Sequence, residues 1–139
     1  MYKLYTDGGC RGNNSSKTNT EDRICGGGAV VYDKNGLEIF SKAERYLDLT
    51  TNNESEWKAL VMGLQLCVDK NVPPSEVHVF CDSNLVVQQY LGTWRVKEKR
   101  LAIFREKALS FGEICSIGHV PRAQNKRADE LSNIGMSMK

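Results

Sequence analysis

Alternation opens the chain. Tyr2, Leu4 and Thr6 interleave with Lys3, Tyr5 and Asp7, the two-residue period of a β-strand. The strand runs onto a carboxylate and two glycines, Asp7-Gly8-Gly9, where a backbone without Cβ can turn sharply and lie close to a ligand. Open α/β sheets place their sites at such strand ends, although an ordinary strand–turn has the same composition. Residues 13–23 are polar and aperiodic, the pattern of an exposed loop. Cys25–Tyr32 turns from glycine-rich to β-branched, and Asn35-Gly36 predicts a hairpin that returns the chain along Leu37–Tyr46. Asn52 and Asn53 are expected to cap a helix reaching about Lys70, with Trp57, Leu60, Leu64 and Cys67 on one stripe. After Pro73-Pro74 the pattern predicts a fourth strand over Val77–Asp82 and a helix over Asn84–Leu91. Trp94–Phe111 reads as a basic loop and then a helix that faces Leu101, Phe104, Ala108 and Phe111 inward. Glu113–Val120 is expected as a fifth strand and Ala123 to about Met136 as an amphipathic helix. This order predicts an α/β fold, a mixed sheet covered by helices.

Composition narrows the classes without choosing among them. At 139 residues, 40% hydrophobic and 26% charged, the chain is expected to form one domain, 1–139, around a single core. A net charge of +2 neither requires nor excludes a polyanionic partner. The five cysteines are odd in number and form no CxxC spacing, so zinc and redox pairs are not indicated. With no leader at the start and no apolar run of membrane length, the expectation is a cytoplasmic chain with reduced thiols and no membrane partner.

Candidate chemistry gathers on acids. Two strands end alike, Tyr-Thr-Asp7 and Phe-Cys-Asp82; as parallel neighbours they would hold their carboxylates about 5 Å apart. Like charges that close raise each other's pKa unless a cation lies between them. Glu56, placed in the first turn of its helix, continues the face of Leu60, Gly63 and Cys67 where Glu54 does not, and an acid on an apolar stripe needs a partner. Asp129 falls mid-helix, where Asp is unfavourable unless something holds it. Four such acids at one sheet edge would form an all-oxygen site for hard cations, Mg²⁺ above zinc. A pair of ions about 4 Å apart would suit in-line phosphodiester displacement. Capping and turn formation account for each acid taken singly.

The segments Thr6–Asn13, Thr51–Trp57, Cys81–Gln89 and Gly118–Asn133, in this order, resemble type 1 ribonuclease H over nearly the whole chain, in a form without the basic protrusion. The resemblance implies the ribonuclease H-like fold: a five-stranded mixed sheet, three antiparallel strands and then parallel ones, with helices on both faces. It implies an endonuclease that hydrolyses the RNA strand of RNA–DNA hybrids with two Mg²⁺ ions (Mn²⁺ being an alternative), leaving 5′-phosphate and 3′-hydroxyl ends. Asp7, Glu56, Asp82 and Asp129 would be the metal-binding catalytic acids, and His119 a loop histidine assisting proton transfer or product departure. Gly8, Cys10, Asn13, Asn52, Asn53, Asn84 and Gln88 would contact the hybrid, and Thr51 would help seat a DNA phosphate. His78 is left as a core or edge residue. A monomer is expected.

Two features depart from that family pattern. A longer polar loop follows Asn13, and Trp94–Arg100 carries four positive charges, Arg95, Lys97, Lys99 and Arg100, where some members have the protrusion. That segment either supplies affinity for the duplex backbone or is a solvated helix start. The rival readings are a junction-resolving nuclease built on four acids and a nucleic-acid-binding module without catalysis. Cleavage of a four-way junction against a hybrid, and turnover dependent on Mg²⁺, separate them.

Overall fold

The computed structural model describes residues 1–12, 23–49 and 51–138. Asn13 and most of the polar loop after it lie outside the described residues. The strands are β1 (Tyr2–Arg11), β2 (Ile24–Tyr32), β3 (Glu38–Tyr46), β4 (Val77–Cys81) and β5 (Ser116–His119), and the helices α1 (Asn52–Asp69), α2 (Asn84–Leu91), α3 (Lys99–Ser110) and α4 (Lys126–Ser137). Among the described residues they form one five-stranded sheet in the order β3-β2-β1-β4-β5. β1–β2 and β2–β3 are antiparallel; β1–β4 and β4–β5 are parallel. The mixed sheet expected from the element order is therefore present, with β1 at its centre.

Helices cover both faces. On one, Leu4, Val31, Val77 and Val79 of the sheet pack with Trp57, Leu60 and Leu64 of α1, Val86 of α2 and Leu101 and Ala108 of α3. Trp57 is fully buried and donates its indole N–H to Gln89 Oε1 at 2.9 Å, so the largest core side chain also ties α1 to α2. On the other face α4 lays Ala128 and Leu131 against Val30, with Tyr5 and Tyr32 at the margin. The glycine run of β2 belongs to this contact. A Cβ on Gly28 would stand 2.6 Å from the Ser132 nitrogen and one on Gly26 2.8 Å from that of Met136, so helix and strand backbones meet with no side chain between them.

Several boundaries differ from the sequence expectation for local reasons. Thr51, not Asn52 or Asn53, caps α1: its Oγ1 accepts from the Glu54 N–H at 3.1 Å and donates to Glu54 Oε1 at 2.9 Å, a variant of the capping box. Glu56 therefore lies beyond the first turn, and it is Glu54 that occupies it. Glu54 is also buried, against the expectation from the helical stripe, and pairs with Arg100 at 3.6 Å. β5 is shorter than predicted, because Gly112 turns with φ +105° and the chain joins β4 only through Cys115 N–H to Val77 O before the ladder begins. α4 starts at Lys126, after a 3₁₀ turn over Arg122–Gln124. That puts Asp129 in the first turn, where the helix dipole favours an acid, and removes the mid-helix objection to it. The Asn35-Gly36 turn is as expected: Gly36 has φ +82° and Asp33 Oδ1 accepts from the N–H groups of Asn35 and Leu37. No described helix is long and apolar enough to cross a membrane.

Candidate active site

Register brings the acids together. Thr6 of β1 pairs with Cys81 of β4, and Cys81 pairs with His119 of β5. Asp7 and Asp82 are each the next residue, so the two acids stand where β4 ends; β1 itself runs on to Arg11, with Asp7 paired to Gly28 of β2, and the turn expected at Asp7-Gly8-Gly9 does not occur. Glu56 reaches the same point from α1, where its Oε1 accepts the Gly8 N–H at 2.8 Å. Gly8 makes this possible: a Cβ there would stand 2.7 Å from the Glu56 nitrogen and closer still to the Ser55 carbonyl. One ligand oxygen from each of Asp7, Glu56 and Asp82 lies within 4.8 Å of the others. Asp129 lies outside that trio but lines the same groove as Asp7 and Glu56, a cavity of about 340 Å³ that also takes in Gly8, Cys10, Asn52 and Arg122.

The electrostatics are those of acids crowded and partly buried together. Burial first, then the charge of Asp82 and the hydrogen bonding and charge of Asp129, push Asp7 up to about 8. Glu56 is raised well above the ordinary carboxylate range by burial and by the charges of Asp7 and Asp82, with the Gly8 N–H pulling the other way. Asp82 Oδ2 is buried without a hydrogen-bond partner among the described residues. Carboxylate oxygens alone, mutually repelling and one of them unsatisfied, form a donor set suited to a hard divalent cation.

The remaining predicted residues fall around this edge. His119 is exposed and is the last residue of β5 rather than a loop residue. Asn52 Oδ1 accepts the Cys10 N–H at 2.8 Å, which fixes the rim of the groove. Asn53 is exposed beside it, and Thr51 is occupied as the cap of α1. Asn84 opens α2 and accepts from Gln88 Nε2 at 3.2 Å. Asn13 lies outside the described residues. The expectation of reduced thiols is overturned at Cys10, which forms a disulfide with Cys25. The two are register partners on β1 and β2, a proximity that their separation along the chain concealed. Cys67, Cys81 and Cys115 are free.

Two residues were not singled out by the sequence. Arg122 lines the groove among the acids; only its place three residues after His119 pointed to it. Asn125 is 1% exposed and donates its Nδ2 to the Thr6 carbonyl at 2.9 Å, while its main-chain carbonyl accepts the Asp129 N–H at 3.0 Å and its side-chain Oδ1 is buried without a partner among the described residues. An Asn just before a helix signals a cap, but its side chain is used on β1 instead.

Residues 13–135 match the family model described as reverse transcriptase-like. The chain is 32% identical over 136 residues, 96% of its length, to a bifunctional protein of Mycobacterium tuberculosis, of which it spans 35%; it thus covers about a third of that curated relative. It superimposes on RNase H1 from the halophilic archaeon Halobacterium salinarum with a TM-score of 0.83 at 29% identity, over 98% of this chain and 97% of that one. For LC11-RNase H1, solved in complex with an RNA/DNA hybrid, the TM-score is 0.83 at 30% identity, over 99% and 97% of the two chains. A family match from residue 13 to 135 and superpositions nearly end to end on both sides show that this chain belongs to the type 1 ribonuclease H family.

Proposed function

We propose that the chain is an endonuclease hydrolysing the RNA strand of RNA–DNA hybrids, leaving 5′-phosphate and 3′-hydroxyl ends. The observation that carries this reading is the convergence of Asp7, Glu56 and Asp82 within 4.8 Å in a member of this family. These three acids and Asp129 would hold the metal. Bound there, two Mg²⁺ ions, or Mn²⁺ in their place, would supply the positive charge that favours hydroxide over water and stabilises a departing oxyanion.

The chain's own groups do the rest. His119, exposed at the edge in register with Cys81, would take up or return a proton at the leaving oxygen. Gly8, Asn52 and the backbone of Cys10 line the groove beside the acids, with Asn13 and Asn53 expected to extend that contact. Asn84 and Gln88, already paired with each other, would meet the hybrid from α2, and Thr51 would seat a DNA phosphate. Selectivity would come from 2′-hydroxyls and duplex shape rather than base sequence. Of the four cations in 95–100, Arg100 is engaged by Glu54; Arg95, Lys97 and Lys99 are exposed and would attract the duplex backbone. The same reading takes the working unit to be one copy of the 1–139 domain, in the cytoplasm.

The test is cleavage of a hybrid with a labelled RNA strand, with Mg²⁺ and with chelator, and identification of the product ends. Metal-dependent loss of the RNA strand alone, yielding 5′-phosphates, is expected. A four-way junction cut in preference to the hybrid would move the chain to the resolvase reading. Hybrid binding without turnover would move it to the binding-module reading.

A further inference from the structure

At the opposite end of the sheet from the acids, a second group of reactive side chains meets. Cys115 Sγ lies 3.8 Å from His78 Nε2, and His78 Nδ1 lies 2.6 Å from Ser116 Oγ. His78 and Ser116 are register partners on β4 and β5, so the imidazole is held by the ladder. With Nδ1–H donating to Ser116 Oγ, the Nε2 lone pair faces the thiol, the arrangement of a nucleophile, its base and a group that orients the base. Cys115 is also the one exposed free thiol: Cys67 and Cys81 are buried and Cys10 and Cys25 are bonded to each other. Burial raises the Cys67 thiol to about 11, which keeps it protonated at neutral pH, and Cys81 is closed off from reagents in the core.

Cys115 stands on the rim of a hollow of about 510 Å³ lined by Tyr90, Leu91, Leu109, Ile114 and Ile117. Leu91 and Leu109 are 56% and 42% exposed, so the hollow opens to solvent beside the sulfur. Glu113 and Ser116 complete the rim, and a hydrocarbon tail laid on the apolar walls would be buried by them.

We infer that Cys115, with His78 as its base and the Leu91–Leu109 hollow as its tail site, is a covalent modification site for α,β-unsaturated carbonyl compounds that carry a hydrocarbon chain. The Sγ proton passes to His78 Nε2 and the thiolate forms a C–S bond to the β-carbon of the enal. The C=C π pair shifts toward the carbonyl, and the imidazolium returns the proton to the α-carbon. Every atom of both reactants is retained and no electron donor or acceptor is needed.

The full chain with its disulfide intact is treated with trans-2-nonenal and with acrolein, and adduct formation at residue 115 is followed by peptide mass spectrometry against N-acetylcysteine. Expected are faster addition than to N-acetylcysteine with both probes, a larger enhancement with nonenal, and no adduct at Cys67 or Cys81. His78→Asn should slow both probes by about tenfold or more, and Leu109→Ser should remove only the nonenal excess. Circular dichroism and hybrid cleavage report whether each variant is folded; Ser116→Ala is a milder variant that should slow addition by misorienting the imidazole. Addition no faster than to N-acetylcysteine, or rates unchanged in His78→Asn and Ser116→Ala, would overturn the thiol–imidazole pair. An unchanged nonenal-to-acrolein ratio in Leu109→Ser would overturn the tail site.

Discussion

The Asn125 side-chain amide donates to the Thr6 carbonyl at 2.9 Å, and through this bond the start of α4 is fixed to the residue that precedes Asp7. The Asn125 main-chain carbonyl accepts from Asp129 N–H as the first bond of α4, so the side-chain bond to Thr6 sets where the turn carrying Asp129 lies relative to Asp7. Asn125→Ala should cost about 1–3 kcal/mol of stability by taking the amide donor away from the Thr6 carbonyl. On the proposed function it should also lower kcat for hybrid cleavage by roughly 10–100-fold with little change in KM, because displacing the proposed catalytic acid Asp129 by about 1 Å costs turnover more than binding. Steady-state kinetics beside urea unfolding separate the two effects; an unchanged kcat would exclude the positioning role.

Asp7 makes the metal-free fold sensitive to pH. Its carboxyl is held up to about 8 by burial and by Asp82 and Asp129, against about 4 in an unfolded chain. Between those values the folded state keeps a proton that the unfolded state has released, so stability is highest at the acid end and falls as pH rises from about 4 to 8. Asp7→Asn removes that penalty. In chelator at pH 8 the variant should be more stable than the native chain by at least ~1 kcal/mol, with a flatter profile from pH 5 to 8, while hybrid cleavage is abolished. Parallel profiles for the two proteins in urea titrations would contradict the crowding of acids at this edge.

The two glycines after Asp7 are not equivalent. A Cβ on Gly8 would run into the Ser55 carbonyl and the Glu56 nitrogen, whereas one on Gly9 would meet only Met136 Cε at 3.8 Å. Gly8→Ala must push α1 away from β1 and carry Glu56 out of the cluster, a loss of about 1–3 kcal/mol together with most of the activity. Gly9→Ala should stay within about 1 kcal/mol of the native chain and keep its cleavage. Thermal unfolding and the hybrid assay on the pair test this, and equal losses in both would show that α1 does not set the spacing.

Periodicity carried the sheet because its strands and helices are regular: the helix over Asn84–Leu91 came out at its predicted bounds, and Trp57, Leu60, Leu64 and Cys67 all lie at 0% exposure. Asp7 and Asp82 could be paired on paper because each follows a strand pattern of the same kind, although β1 continues past Asp7 to Arg11 along β2. Three features were not legible for a common reason, that each depends on partners distant in sequence. The Cys10–Cys25 bond needs the register of two strands, the burial of Glu54 needs Arg100 brought back by α3, and Asn125 needs Thr6 beneath it. Asp129 was placed mid-helix because Ala123 continues the helical pattern, whereas the 3₁₀ turn at Arg122–Gln124 delays the start of α4.

The disulfide closes the polar loop at its base. Cys10 and Cys25 are 15 residues apart, and a cross-link of that span lowers the entropy of the unfolded chain by about 3 kcal/mol in the chain-entropy account. Reduction of the native chain should therefore lower its stability by about that amount, and Cys25→Ser should show the same loss without reductant and no further change with it. Because Cys10 N–H is held by Asn52 at the groove rim, opening the bond loosens that rim, the proposed substrate contact, rather than the acid cluster. The expected kinetic signature is a raised KM for hybrid with kcat nearly unchanged. Denaturant titrations and steady-state cleavage, each with and without dithiothreitol, measure both. A native chain whose unfolding midpoint ignores dithiothreitol would show that the two sulfurs are not bonded in solution.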